Sequence, residues 1–146
     1  MDGEVGNPTE YPDMGCALPN YVSRNGKIYV IGPQGRTEAL TIKGVNWFGM
    51  ETSATLPLGL WSNPQTGTTA YAIAAFLARN NFNSVRLPIC VESLVKNIAP
   101  NKDIVNQYEN RAIQLNTHLN PLKGIIKALG HRQISVMISL HTLNHV

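Results

Sequence analysis

The stretch Asn83-Ser84-Val85-Arg86-Leu87-Pro88-Ile89 reads as a short buried strand with one charge at its centre. Side chains alternate across a strand, so Val85, Leu87 and Ile89 share one face and Arg86 points to the other. A guanidinium left in apolar surroundings without partners costs several kcal/mol in lost hydration. The Arg86 face must therefore look into a polar space or a structural ion pair, and not into dry core. Pro88 removes one backbone donor from the ladder, which suits a strand end where the sheet opens.

Working outward, two further strands carry the same signature. Ile42–Gly49 begins apolar and ends in Asn46, Trp47 and Phe48; Gln133–His141 alternates Ile134, Val136, Ile138 and Leu140 with Ser135, Met137, Ser139 and His141. Helical periodicity lies between them. The spacing predicts a helix over Thr69–Asn80, with Thr68 as its cap, Ile73, Phe76 and Leu77 buried, and Asn80-Asn81 as its stop. A second helix is predicted over Pro121–Leu129, capped by Asn120 and ended by Gly130, with a helical turn around Val105–Arg111 in the connection before it. Strand–helix–strand–helix–strand predicts an α/β fold with a parallel sheet covered by helices on one face. The opposite face collects Asn46, Arg86, Ser139 and His141 near strand C-terminal ends, where such folds place their sites.

Upstream, Asn25-Gly26 between Tyr21–Arg24 and Lys27–Ile31 predicts a β-hairpin, and a strand over Ala39–Lys43 returns. Residues 1–20 hold Pro8, Pro12 and Pro19 and four acids without periodicity, which predicts a disordered or loosely packed tail. Met50–Thr66 is a long aperiodic loop of the kind that commonly carries function.

The 146 residues are 43% hydrophobic and only 14% charged, with a net charge of +3. The twelve Lys and Arg are scattered singly, which argues against nucleic acid or an anionic membrane as the main partner. No apolar run approaches the roughly 20 residues of a membrane span. The first twenty residues show no apolar core of a secretory signal. Cys16 and Cys90 allow at most one disulfide, and neither lies near a second thiol or a His at metal-ligand spacing, so no metal site and no cofactor are expected.

Gly44-Val45-Asn46-Trp47-Phe48-Gly49-Met50-Glu51-Thr52, Gly59-Leu60-Trp61, Asn80–Ile89 and Val136–His141 together resemble glycoside hydrolase family 5, nearest to its endo-β-1,4-glucanases (cellulases). The resemblance implies a (β/α)₈ TIM barrel that hydrolyses β-glycosidic bonds with retention by means of two glutamates. It implies that Arg86 lies beneath the nucleophile and holds it ionised, and that His141 contacts sugar hydroxyls at the cleavage point. It implies that Trp61 stacks on a sugar ring, and that Asn46 and Trp47 line the cleft; a loop anchor is the other reading of Trp61. Ser139 departs from the pattern, since the family usually has Asp two residues before this histidine. Secretion is implied by the family.

A whole barrel takes roughly 200 residues or more. Residues 21–146 are therefore expected to be its N-terminal part, three βα strands preceded by the hairpin of residues 21–41. The family's acid/base and nucleophile glutamates follow later strands. Glu51 and Glu92 are the acids near strand ends here, and neither reads as a replacement. The isolated chain is expected to be inactive and, with open strand edges, to self-associate; a sharp, reversible, monomeric unfolding transition would count against that. Two alternatives stand beside the fragment of a hydrolase. One is a non-catalytic carbohydrate-binding or interaction protein. The other is a doubly wound ligand-binding module, disfavoured because no strand is followed by a Gly-rich phosphate loop.

Overall fold

The computed structural model describes residues 6–13, 19–61 and 68–145. Among these residues six strands form two sheets. β1 (Asn20–Arg24), β2 (Lys27–Ile31) and β3 (Thr37–Leu40) make an antiparallel sheet, and β4 (Gly44–Asn46), β5 (Ser84–Cys90) and β6 (Ser135–Thr142) make a parallel one in the order β4-β5-β6. Asn25 and Gly26 both take positive φ, 49° and 71°, as a tight hairpin with the strands' own twist requires. Three helices accompany the parallel sheet: α1 (Ala70–Arg79), α2 (Val91–Lys96) and α3 (Leu119–Gly130). The parallel sheet and its connecting helices are those of a partial (β/α)₈ barrel.

The apolar face of β5 is the centre of the core. Val85, Leu87 and Ile89 are essentially inaccessible and pack with Ala70, Ala74 and Leu77 of α1 and with Leu122, Ile125, Ala128 and Leu129 of α3. Each such aliphatic side chain contributes on the order of 1.5–3 kcal/mol by leaving water. Alanine on the buried face of α1 lets the helix lie close to the sheet, and that choice displaces Phe76, which is 57% exposed and not buried as its spacing suggested. The corresponding face of β6 is less covered than its alternation implied: Ile138 and Leu140 are 48% and 64% exposed, although they pair in register with buried Leu87 and Ile89. Among the described residues no helix is long and apolar enough to cross a membrane.

Several helix ends differ from the sequence reading by one residue or one turn. Thr69, not Thr68, caps α1, its hydroxyl accepting from the Ala72 N–H. α3 starts at Leu119, before Asn120, and the Thr117 hydroxyl accepts from the Asn120 N–H. The helical turn expected around residues 105–111 does not form; α2 and a 3₁₀ turn at Lys102–Ile104 precede it instead. The tail reading also needs correction for residues 6–13, since Tyr11 is 4% exposed within the core and the Asn7 side chain bonds the Tyr108 carbonyl. Cys16 lies outside the described residues.

The chain leaves β4 through a tight bend at Gly49, whose φ of 134° is a conformation other residues rarely adopt. A methyl group there would press against the Leu56 carbonyl oxygen and stand 2.8 Å from the Leu58 nitrogen, both backbone atoms that cannot rotate away. The Gly49 N–H is also consumed, donating to buried Glu51 Oε2 at 2.7 Å. Gly49→Ala should cost about 2–3 kcal/mol or more of unfolding free energy in urea; a loss below about 0.5 kcal/mol would mean that this bend is not fixed in the folded state.

Candidate functional site

Asn46, Arg86 and Met137 stand in register on three adjacent parallel strands. In-register parallel residues share a face, so these three define one level of the sheet surface opposite the core. Asn46 is exposed, Met137 is 55% exposed and Arg86 is half-buried, so the face is open above a partly enclosed charge. One guanidinium nitrogen, Nη2, donates to Ser139 Oγ at 2.8 Å and lies 3.2 Å from His141 Nδ1. A guanidinium has only donors, so Nδ1 must accept and a neutral His141 carries its proton on Nε2, on the side away from Arg86. Among the described residues, none of the ion pairs involves Arg86.

The register of β5 and β6 slips just here. Ile89 pairs with Leu140 and Cys90 with Thr142, so His141 is the extra, unpaired residue of a bulge. Such a bulge turns a side chain out of its regular direction and is common beside functional sites. Alternation alone could place His141 on the right face but not foresee the bulge.

Two aromatic residues behave differently from each other. Trp47 is half-buried, packs on the core, and donates its indole N–H to the Leu58 carbonyl at 2.8 Å. Its backbone N–H bonds the Arg86 carbonyl at 3.0 Å. Trp47 thus anchors the loop after β4 to the sheet. Phe48, to which the sequence assigns no site role, is 56% exposed. Trp61 is partly exposed at the edge of residues 62–67, which lie outside the described residues.

Residues 39–146 match the cellulase family, glycosyl hydrolase family 5. The chain belongs to that family. Its fold is similar to an endocellulase from Pyrococcus horikoshii solved as a variant with cellotetraose, at 27% identity and a TM-score of 0.73, over 88% of this chain and 33% of that one. It is also similar to a cellulase–inhibitor complex, at 28% identity and a TM-score of 0.70, over 82% of this chain and 30% of that one. The catalytic domain of the major endoglucanase from Xanthomonas campestris pv. campestris matches at 26% identity and a TM-score of 0.65, over 81% of this chain and 32% of that one. The chain spans about one third of the length of these solved proteins. No curated protein sequence matches it.

Both nearby acids of this family 5 chain are held by other partners. Glu51 is 6% exposed; its Oε2 accepts from Gly49, and its backbone carbonyl accepts from the Thr142 hydroxyl at 3.1 Å. Glu51 therefore ties the loop after β4 to the end of β6. Glu92 is bound to Lys96 at 2.6 Å; the hydrogen bond and charge of Lys96 hold its carboxyl below the usual carboxylate value.

Beyond the bulge, the chain assembles a group that local spacing did not disclose. Cys90, Glu92 and one ring nitrogen of His145 place their ligand atoms within 4.8 Å of one another. Spacing along the chain does not disclose this group because His145 is brought in by β5–β6 pairing and not by proximity in sequence. Cys90 is a free, fully buried thiol. Burial acts to raise its pKa, but hydrogen bonds from Ser93 (backbone and side chain), Thr142 and the Glu92 backbone outweigh that and leave it below the ordinary value.

Next to this group, His118 is inaccessible to solvent, and neither ring nitrogen has a hydrogen-bond partner. Burial, and secondarily the charge of His145, push its pKa below the ordinary 6.5. The folded state thus holds a neutral imidazole, while the unfolded chain takes up a proton near 6.5. The stability associated with His118 is present above that value and is lost as pH falls through the lower folded pKa. Urea midpoints measured above and below pH 6.5 should therefore fall more steeply on acidification in the native chain than in His118→Leu; equal slopes would show that His118 is not buried neutral.

Proposed function

We propose that the Arg86–His141 face is part of the substrate cleft of a retaining β-1,4-glucan hydrolase. Family membership and the cellotetraose bound by the Pyrococcus horikoshii endocellulase variant support the reading. The observation that carries it is the state of Arg86. Only Nη2 is engaged, by Ser139 and His141, while Nε and Nη1 have no partner among the described residues. A guanidinium with a free pair of parallel donors is suited to grip a carboxylate at two points, orient it and hold it ionised. That is what the nucleophile of a retaining glycosidase requires. The Nε2–H of His141 is then free to donate to a sugar hydroxyl, Asn46 offers an amide at the same level, and exposed Phe48, with Trp61, offers a ring on which a pyranose can stack.

Retention needs two carboxyl groups about 5–5.5 Å apart, one nucleophilic and one acid/base. Glu51 and Glu92 are committed to other partners, so these residues bind and orient without supplying the pair, and the 146-residue chain by itself is inactive. The same observation favours a second reading, in which the chain binds carbohydrate without cleaving it.

Both readings are tested with the isolated chain, cellotetraose and carboxymethylcellulose, beside an eight-stranded form carrying both glutamates. Cellotetraose should perturb the amide resonances of Asn46, Arg86 and His141, and His141→Ala should weaken binding about tenfold, the equivalent of roughly 1.4 kcal/mol. Reducing sugar should appear only with the eight-stranded form. Its absence there would favour the non-catalytic reading. Release by the short chain would return the chemistry to Glu51 and Glu92, and an unperturbed Arg86 face would remove the cleft assignment.

A further inference from the structure

Cys90 closes β5, Glu92 lies in the first turn of α2, and His145 follows β6. Backbone pairing brings them together, the Glu92 N–H donating to the Leu143 carbonyl at 3.0 Å. From this cluster we propose a zinc site with Cys90 Sγ, a Glu92 carboxylate oxygen and a His145 ring nitrogen as ligands, tying the segment after β6 to the β5–α2 junction. The proposal does not rest on the proposed hydrolase.

Two observations point to a ligand here. The three donor atoms converge within 4.8 Å, against roughly 3.5 Å between ligands of a tetrahedral zinc, so a closure of about 1 Å completes the geometry. His145 Nε2 lies 3.1 Å from Ser93 Oγ, while Nδ1 is buried with no partner; an imidazole fixed at one nitrogen and vacant at the other is the usual arrangement of a metal-binding histidine.

The donor set selects the metal. Thiolate and imidazole favour zinc over calcium or magnesium, which take oxygen ligands. The Ser93 hydroxyl reaches the Cys90 sulfur, the kind of support that a metal-bound thiolate receives from its surroundings. Loading releases the Cys90 thiol proton to solvent as the sulfur–zinc bond forms. Lys96 bonds Glu92 Oε1 and the His145 backbone N–H also reaches this carboxylate, so the metal takes one of its remaining lone pairs.

Cobalt(II), a coloured substitute for zinc, tests the site when titrated into the purified protein. One cobalt per chain should bind with a thiolate-to-metal charge-transfer band and the visible bands of a tetrahedral centre, and zinc should displace it. Cys90→Ser should abolish the charge-transfer band. His145→Ala, at a partly exposed position, should weaken binding about tenfold or more. Cys16→Ser should change neither. Absence of the thiolate band in protein of native circular dichroism, its persistence in Cys90→Ser, or unchanged affinity in His145→Ala would overturn the proposal.

Discussion

Arg86 carries its charge in the middle of a strand whose other face is dry core, and the sheet around it is arranged to make that tolerable. Its backbone pairs on both sides, with β4 and with β6, so its height above the sheet is fixed by hydrogen bonds and not by its own side chain. Ser139 is placed two residues along from the in-register Met137, which brings its hydroxyl to Nη2. The bulge then delivers His141 to the same nitrogen. The charge is solvated by neutral acceptors, since none of the described ion pairs involves it. Neutral partners leave the rest of the guanidinium available, and availability is what a binding site needs.

The loop after β4 serves the same end. Gly49 makes the bend, Glu51 fixes it by accepting from Gly49 and by meeting Thr142, and Trp47 pins the loop through its indole and backbone N–H groups. The residues that make this motif distinctive are thus largely structural. They hold the rim in place so that Phe48 and Asn46 stand exposed beside Arg86. Conformational rigidity of this kind is how a scaffold sets the geometry of a cleft.

Much of this was legible in the sequence, and for identifiable reasons. The period-two pattern of Val85, Leu87 and Ile89 against Arg86 located the core strand and the polar face, because alternation is enforced by backbone geometry. Asn25-Gly26 located the hairpin, because few residues accept its torsion angles. What failed depended on tertiary neighbours. Phe76 sits at helical spacing, yet small alanines were chosen for the buried side. Ile138 and Leu140 alternate correctly but lie on a strand with little covering them. Tyr11 has no periodicity around it and is nonetheless core. The cluster of Cys90, Glu92 and His145 exists only through strand pairing, which spacing along the chain does not encode.

The central claim is that Arg86 is kept for a site and not for stability, and its replacement by an apolar residue of similar length tests this most directly. A half-buried charge without an anionic partner contributes little to folding, and an apolar substitute can match or exceed it. Urea unfolding of Arg86→Met should therefore show a stability equal to that of the native chain, or higher by about 1 kcal/mol. A loss of about 2 kcal/mol or more would contradict the account and make Arg86 a structural residue, held by Ser139 and His141 for the sake of the sheet itself.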